Sequence, residues 1–249
     1  MSKQFGVLVI GDEVLSGKRR DKHFTHVVDT LRARGMSVAW SRVASDDQQA
    51  LFRVLGQTQQ EGLPVFCFGG IGATPDDNTR AAAARAFGCP LQVHSDALAL
   101  IESRYGAAAR PHRVRMAELP EDCLLIPNPV NRIAGFILYE HYFFPGFPLM
   151  AWPMLDWVLQ RYYPLCESDW LCERSLRVFG VPESDLLDLM ERLTLEFPAT
   201  RLFSLPRMGE SVSIELGFRG EQASVDAAFT RLQSALQQRR LLFEMEEAA

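Results

Sequence analysis

A chain of 249 residues holds one large domain or two smaller ones, and 47% apolar with 23% charged residues is the composition of a globular protein with a sizeable core. A net charge of -5 argues against the basic stripe of a broad nucleic-acid footprint, so no nucleic-acid partner is expected. The five cysteines are scattered and form no CxxC pair, which argues against a zinc ribbon or a disulfide framework and fits reduced thiols in a cytoplasmic protein.

In chain order, "FGVLVIG" (5–11) is a short continuous apolar run ending in glycine, the pattern of a strand buried on both faces. Acids follow it at once, so the N-terminus does not read as a signal peptide. Residues 22–34 place Phe24, Val27, Val28 and Leu31 at helical spacing, with Gly35 as the stop. "MSVAWSRVA" (36–44) alternates as a strand, 46–62 reads as a helix with Asp46 as N-cap, "LPVFCFGG" (63–70) is a second buried strand, and 77–87 is a helix. Short connections between alternating strands and helices predict a parallel sheet covered on both faces. A helix over 95–106 capped by Ser95, a strand over 122–130, a hairpin-like pair over 135–146 and a helix over 149–162 complete this part. The most apolar stretch, 134–159, is broken by Glu140, His141, Asp156 and three prolines, so no membrane span is expected.

Composition shifts near 164–170, and the order changes to strand 172–181, helix 182–197 opened by Pro182, strands 200–207 and 211–219, and helix 221–240. The fold class expected is therefore α/β: a mostly parallel α/β/α domain over 1–166, then a small α+β domain (β-α-β-β-α) over 170–243.

"GDEVLSGKR" (11–19) imitates a P-loop, but five residues separate its glycines where four are needed, and Arg19 stands where Ser or Thr should be. Asp12 and Glu13 are of more interest, because carboxylates at the carboxyl end of a buried parallel strand face the ligand crevice of open α/β sheets; the alternative is solvated loop charge. "FGGIGATPDDNTR" (68–80) has no GxGxxG fingerprint. Its glycines let backbone amides approach a ligand, and the helix after it offers unpaired N–H groups to an anion. A turn with an acidic cap and no ligand remains the alternative there. Asp12/Glu13, Asp46/Asp47 and Asp76/Asp77 each follow one of three successive strands, so the topology gathers six carboxylates at one sheet edge. Such a cluster repels itself unless a hard cation or metal-bearing phosphates occupy it. Asn128, in "IPNPV", presents an amide to a ligand or serves a turn. His23 and His26, three apart, read as exposed helix histidines without a third metal ligand. "GFRG" (217–220) imitates a nucleic-acid-binding loop in an acidic segment and is set aside.

"IGDEVLSGK" (10–18), "GGIGATPDDNTRAA" (69–82), "MAELPEDCLLIPNPV" (116–130) and "FPGFP" (144–148) resemble the N-terminal region of the competence/damage-inducible A proteins, within the molybdopterin-binding-like superfamily. The resemblance spans about 1–160, and 172–240 is similar to the small domain that follows in those proteins. The nicotinamide-nucleotide deamidase domain that many of them carry has no counterpart in this sequence. The resemblance implies a homodimeric three-layer α/β/α domain binding molybdopterin, another phosphorylated pterin or a nucleotide. It also implies metal-dependent (magnesium or cobalt) hydrolysis of diphosphates such as ADP-ribose or FAD. Asp46 and Asp77 match the functional aspartates of molybdopterin adenylyltransferases and take the catalytic role. Gly69, Gly70, Gly72, Thr74, Asn128 and Arg132 fall to ligand and phosphate, and Asp12, Glu13 and Asp76 to the metal. The alternative is a non-catalytic pterin- or nucleotide-binding module in molybdenum-cofactor handling or regulation. Relatives typically read "SGKIVDTNS", "NPVGTAPGF" and "PGVPSEM"; here stand "SGKRRDKHF", "NPVNRIAGF" and "PGFPLMA", so Met150 replaces a glutamate.

Overall fold

A computed structural model describes residues 3–164, 171–207 and 213–246. The chain divides into two compact units, Lys3–Cys166 and Glu167–Ala249.

In the first unit the elements are β1 (Gln4–Ile10), a single turn α1 (Asp12–Leu15), α2 (His23–Arg32), β2 (Ser37–Ala44), α3 (Gln48–Glu61), β3 (Val65–Phe68), α4 (Thr79–Ala86), β4 (Leu91–Val93), α5 (Ser95–Tyr105), β5 (Glu118–Pro120), β6 (Leu124–Ile126), β7 (Gly135–Leu138), β8 (His141–Phe144) and α6 (Pro148–Tyr162). Six strands form one sheet in the order β2-β1-β3-β8-β7-β6. The first four are parallel; β7 and β6 run antiparallel to their neighbours.

Period-two alternation explains the three layers. Leu8 and Ile10 of β1 meet Leu51 and Leu55 of α3 and Ala82 and Ala83 of α4 on one face. Val7 and Val9 meet Val27 and Leu31 of α2 and Leu155 and Val158 of α6 on the other. Because both faces are covered, β1 is buried from Phe5 to Ile10 and β3 along its whole length, which is why each reads as a continuous apolar run.

Register aligns the strand ends. Ile10 lies beside Ala44, and Phe68 lies beside both Val9 and Phe144. The connections after β1, β2, β3 and β8 therefore leave the sheet at one edge.

Several local expectations are corrected. Asp47, not Asp46, caps α3: its Oδ1 accepts from Gln49 N at 3.1 Å and Ala50 N at 2.9 Å. α4 begins at Thr79, so Asp76 and Asp77 belong to the turn before it. His94, not Ser95, caps α5, its ring accepting from Ala97 N. His23 is buried rather than exposed, stacked on Phe68 at 4.3 Å between centroids, and His26 stacks on Trp152 at 4.1 Å. Aromatic side chains from β3 and α6 cover that face of α2, a contact no local pattern reveals. The antiparallel pair β4–β5 was not expected at all.

The second unit contains β9 (Leu171–Phe179), α7 (Leu187–Glu196), β10 (Thr200–Arg207), β11 (Ser213–Glu221), α8 (Gln222–Gln238) and β12 (Phe243–Met245), with an antiparallel sheet ordered β10-β11-β9-β12. β12 extends the expected β-α-β-β-α order by one strand. Its own core joins Leu176, Val178, Leu216 and Phe218 of the sheet to Leu189 and Leu193 of α7 and Phe229 and Leu232 of α8. Pro182 precedes a 3-10 turn, Glu183–Leu186, rather than opening α7 itself. Residues 211 and 212 of the expected strand, and the expected boundary between 166 and 170, lie outside the described residues. No helix among the described residues is long and apolar enough to cross a membrane.

Candidate functional site

A cavity of about 440 Å³ opens at the carboxyl edge of the parallel strands, and its wall draws on the loops after β1, β2, β3 and β8. The loop after β3 turns sharply. Gly69 has φ +115°, and a Cβ there would stand 2.2 Å from the Ile10 carbonyl oxygen; at Gly70, with φ +68°, it would stand 2.2 Å from Thr79 Oγ1. Gly69 is required by close backbone packing, and Gly70 by its positive φ and the Thr79 side chain packed against it. The Gly69 amide donates to the Phe144 carbonyl at 3.0 Å, so it is not offered to a ligand as the sequence suggested. The N–H groups of Gly70, Ile71, Gly72 and Ala73 donate to no acceptor among the described residues.

A buried arginine fixes the shape of this loop. Arg80 of α4 donates to the Gly72 carbonyl at 2.7 Å, to the Glu118 carbonyl at 3.0 Å and to the Arg115 carbonyl. Burial lowers its pKa, opposed by the nearby Glu118 and Asp77 charges. Sequence reading missed this residue; the only signal was a charge on the inward side of an alanine-rich helix.

Each acidic candidate has a different position. Asp77 lines the cavity, and its Oδ2 accepts from Thr74 N at 2.8 Å and Thr74 Oγ1 at 2.5 Å. Asp77 and Thr74 thus close their own turn. Asp76 lines the cavity as well. Asp46 also lines the cavity. Desolvation raises its pKa, and the neighbouring Asp12 charge adds to that rise. The Asp46 carbonyl accepts from Asn78 Nδ2 at 3.0 Å, which ties the loop after β2 to the start of α4. Glu13 is in the wall, whereas Asp12 is exposed and absent from it, its amide 3.5 Å from Asp46 Oδ2.

Asn128 is only 4% exposed and lines the cavity. Its Oδ1 accepts from Val130 N at 3.0 Å, while its Nδ2 has no partner among the described residues. A buried donor without an acceptor is costly, and a ligand acceptor would relieve it. Asn131 and Met150 are neighbours in the wall, with Asn131 Nδ2 donating to Met150 Sδ at 3.0 Å. Arg132 is exposed with φ +64° and does not line the cavity, because the left-handed turn at that position carries it outward. Arg19 and Phe147, which the sequence did not single out as ligand residues, are both in the wall.

Four carboxylates (Glu13, Asp46, Asp76, Asp77) and one guanidinium (Arg19) thus share the cavity. Among the described residues no three His, Cys, Asp or Glu side chains stand close enough together to hold a metal ion. Asp12, Glu13 and Asp76 therefore do not meet as the metal centre expected of them. The carboxylates surround a space; they do not converge on a point.

Residues 6–164 match the family described as "Probable molybdopterin binding domain". The chain belongs to that family. Among curated relatives of this chain is the "CinA-like protein" of Citrifermentans bemidjiense, 36% identical over 74% of this chain and 46% of that one. The chain spans about half the length of the CinA-like relatives it first matches. "Protein TV0584" of Thermoplasma volcanium is 27% identical over 92% of each chain. Among solved structures, that titled as the protein CinA with unknown function, from Thermoplasma acidophilum, is similar at 29% identity and a TM-score of 0.59, covering 64% of this chain and 97% of that one.

Proposed function

We propose that the first unit binds a phosphorylated pterin or nucleotide in the cavity at the carboxyl edge of its sheet. The observation that carries this reading is the cavity's mixed wall: unpaired N–H groups from Gly70 to Ala73 and the unpartnered Asn128 Nδ2 stand among four carboxylates. N–H donors suit phosphate oxygens and ring carbonyls. Carboxylates suit the amino and ring N–H groups of a pterin or purine, and the exposed Phe147 ring gives a planar ligand a face to lie on. Family membership supports a pterin-related ligand.

A second reading, hydrolysis of a nucleotide diphosphate such as ADP-ribose or FAD, is favoured by Asp46. A carboxyl whose pKa is raised at a strand end is suited to take a proton from an attacking water. Magnesium or cobalt enters only as a cation carried in on the ligand's phosphates, since one or two carboxylates with substrate oxygens are enough for it. Asp77 serves by holding the Thr74 turn in shape. The homodimer implied by the resemblance belongs to this proposal and is checked by molecular mass in solution.

Incubation with ADP-ribose or FAD and either cation, followed for AMP release alongside calorimetric binding, tests both readings. Binding with turnover supports hydrolysis, and binding without turnover supports the non-catalytic module in cofactor handling. Absence of binding by molybdopterin, ADP-ribose and FAD alike overturns the ligand site.

A further inference from the structure

A second cavity, of about 330 Å³, adjoins the first and shares Ile10, Glu13, Arg19, Gly146 and Phe147 with it. Its charge is of the opposite character. Arg19, Arg20 and Lys22 contribute three cations to its wall against Glu13 and Asp21. Asp21 already serves α2: its Oδ1 accepts from His23 N at 2.8 Å and its Oδ2 from Phe24 N at 3.0 Å. Three cations thus face two carboxylates here, whereas in the first cavity four carboxylates face one guanidinium.

The inner wall is built rather than incidental. His23, 5% exposed, is held flat against Phe68, and its Nε2 is 3.1 Å from the Gly146 carbonyl. A carbonyl accepts only, so Nε2 carries the proton and Nδ1 presents a lone pair. That lone pair has no partner among the described residues. Desolvation lowers the pKa of this ring, which keeps it neutral and leaves the anion to the exposed cations.

We propose that the second cavity is the anion compartment of a bipartite site: it takes a phosphoryl group of the ligand whose ring occupies the acidic cavity, the two ends joined across Glu13 and Phe147. This rests on the pterin or nucleotide reading above and specifies its ligand class, an elongated phosphoester with a donor-rich ring at one end and the charge at the other. Arg19 stands in both walls and neutralises the junction. The affinity of the anionic end should fall with salt, because its cations are exposed and screened beyond roughly 10 Å at 0.1 M ionic strength.

Calorimetry on the full chain with pyrophosphate, ADP and adenosine tests the arrangement. Wild type is expected to bind pyrophosphate, and ADP more tightly. Arg20→Ala/Lys22→Ala, a change at two exposed side chains that spares the core, should weaken both by about tenfold or more and leave adenosine unchanged. Failure of wild type to bind pyrophosphate, equal binding by the double variant, or ADP binding no tighter than pyrophosphate each overturns it. Turnover of ADP-ribose provides the separate check on the earlier reading. A protein that binds pyrophosphate through Arg20 and Lys22 but never cleaves ADP-ribose keeps this compartment and loses the hydrolase. Cleavage with the pyrophosphate response intact in the double variant does the reverse.

Discussion

Asp46 and Asp47 are adjacent carboxylates with opposite duties. Asp47 turns inward on its own helix and caps α3, so Asp47→Ala should cost about 1 kcal/mol of stability in denaturant melts. Asp46 faces the cavity with a raised pKa. In the window between its ordinary value and that raised value the folded protein holds the proton more tightly than the unfolded chain. Stability contributed by the protonated form is therefore lost as pH rises through that window. Asp46→Asn lacks this loss and should melt higher than wild type at pH 7, with the gap closing under acid conditions where both side chains are neutral; under the hydrolysis reading proposed above, the same variant should also lose turnover. Thermal melts at several pH values check the first half, and an unchanged melting temperature at pH 7 contradicts it. Arg80 makes the largest prediction at this scale. Removing its guanidinium orphans the Gly72 and Glu118 carbonyls inside the protein, so Arg80→Ala should cost about 2–4 kcal/mol. Arg80→Lys should not rescue it, because a point charge cannot span three carbonyls as the planar fork does. Denaturant titration of both variants, with ligand affinity measured alongside, is the check.

Elements explain why those residues meet. A strand covered on both faces ends abruptly at its glycine, and in a parallel sheet successive strands end at one edge. The alternating order of strands and helices in the first half of the chain is enough to gather Glu13, Asp46 and Asp77 there. It is not enough to add β8. That strand lies beside β3, and its following loop brings Gly146 so near the glycine turn that a Cβ on Gly146 would stand 3.5 Å from the Cα of Gly69. The aromatic stretch 135–148 is thereby turned from an apolar hairpin into one wall of the site, with Phe147 exposed at the mouth. β7 and β6 then continue antiparallel and carry Asn128 in from the far side of the sheet.

Across the molecule, each unit has its own core. Phe66, fully buried in the first, and Phe218, fully buried in the second, supply the comparison. Either residue changed to alanine should cost about 3–5 kcal/mol. Hydrogen exchange should then report the loss chiefly in the unit that carries the change, with Phe218→Ala leaving protection of β1 and β3 as in wild type. Uniform loss across both units would show that they unfold as one. The acidic balance of the whole chain also has a local meaning: the cavity wall of the first unit concentrates it, while Arg19, Arg20 and Lys22 set a basic patch directly beside it.

Local pattern alone was sufficient for the α/β/α layering, the strands ending in glycine and the acidic edge, because period and burial on both faces leave their mark on every residue of a strand. The element order of the unit after it was legible for the same reason, except for β12, whose three residues are too few to show a period, while its antiparallel pairing came from the structure. Long-range contact decided the rest. The burial of His23 under Phe68, the anchoring of the glycine loop by Arg80, the outward turn of Arg132 and the separation of the carboxylates around a space all depend on which strand lies beside which. Sequence spacing carries no record of that order, since pairing β3 with β8 joins segments far apart in the chain through backbone hydrogen bonds that are alike at every residue.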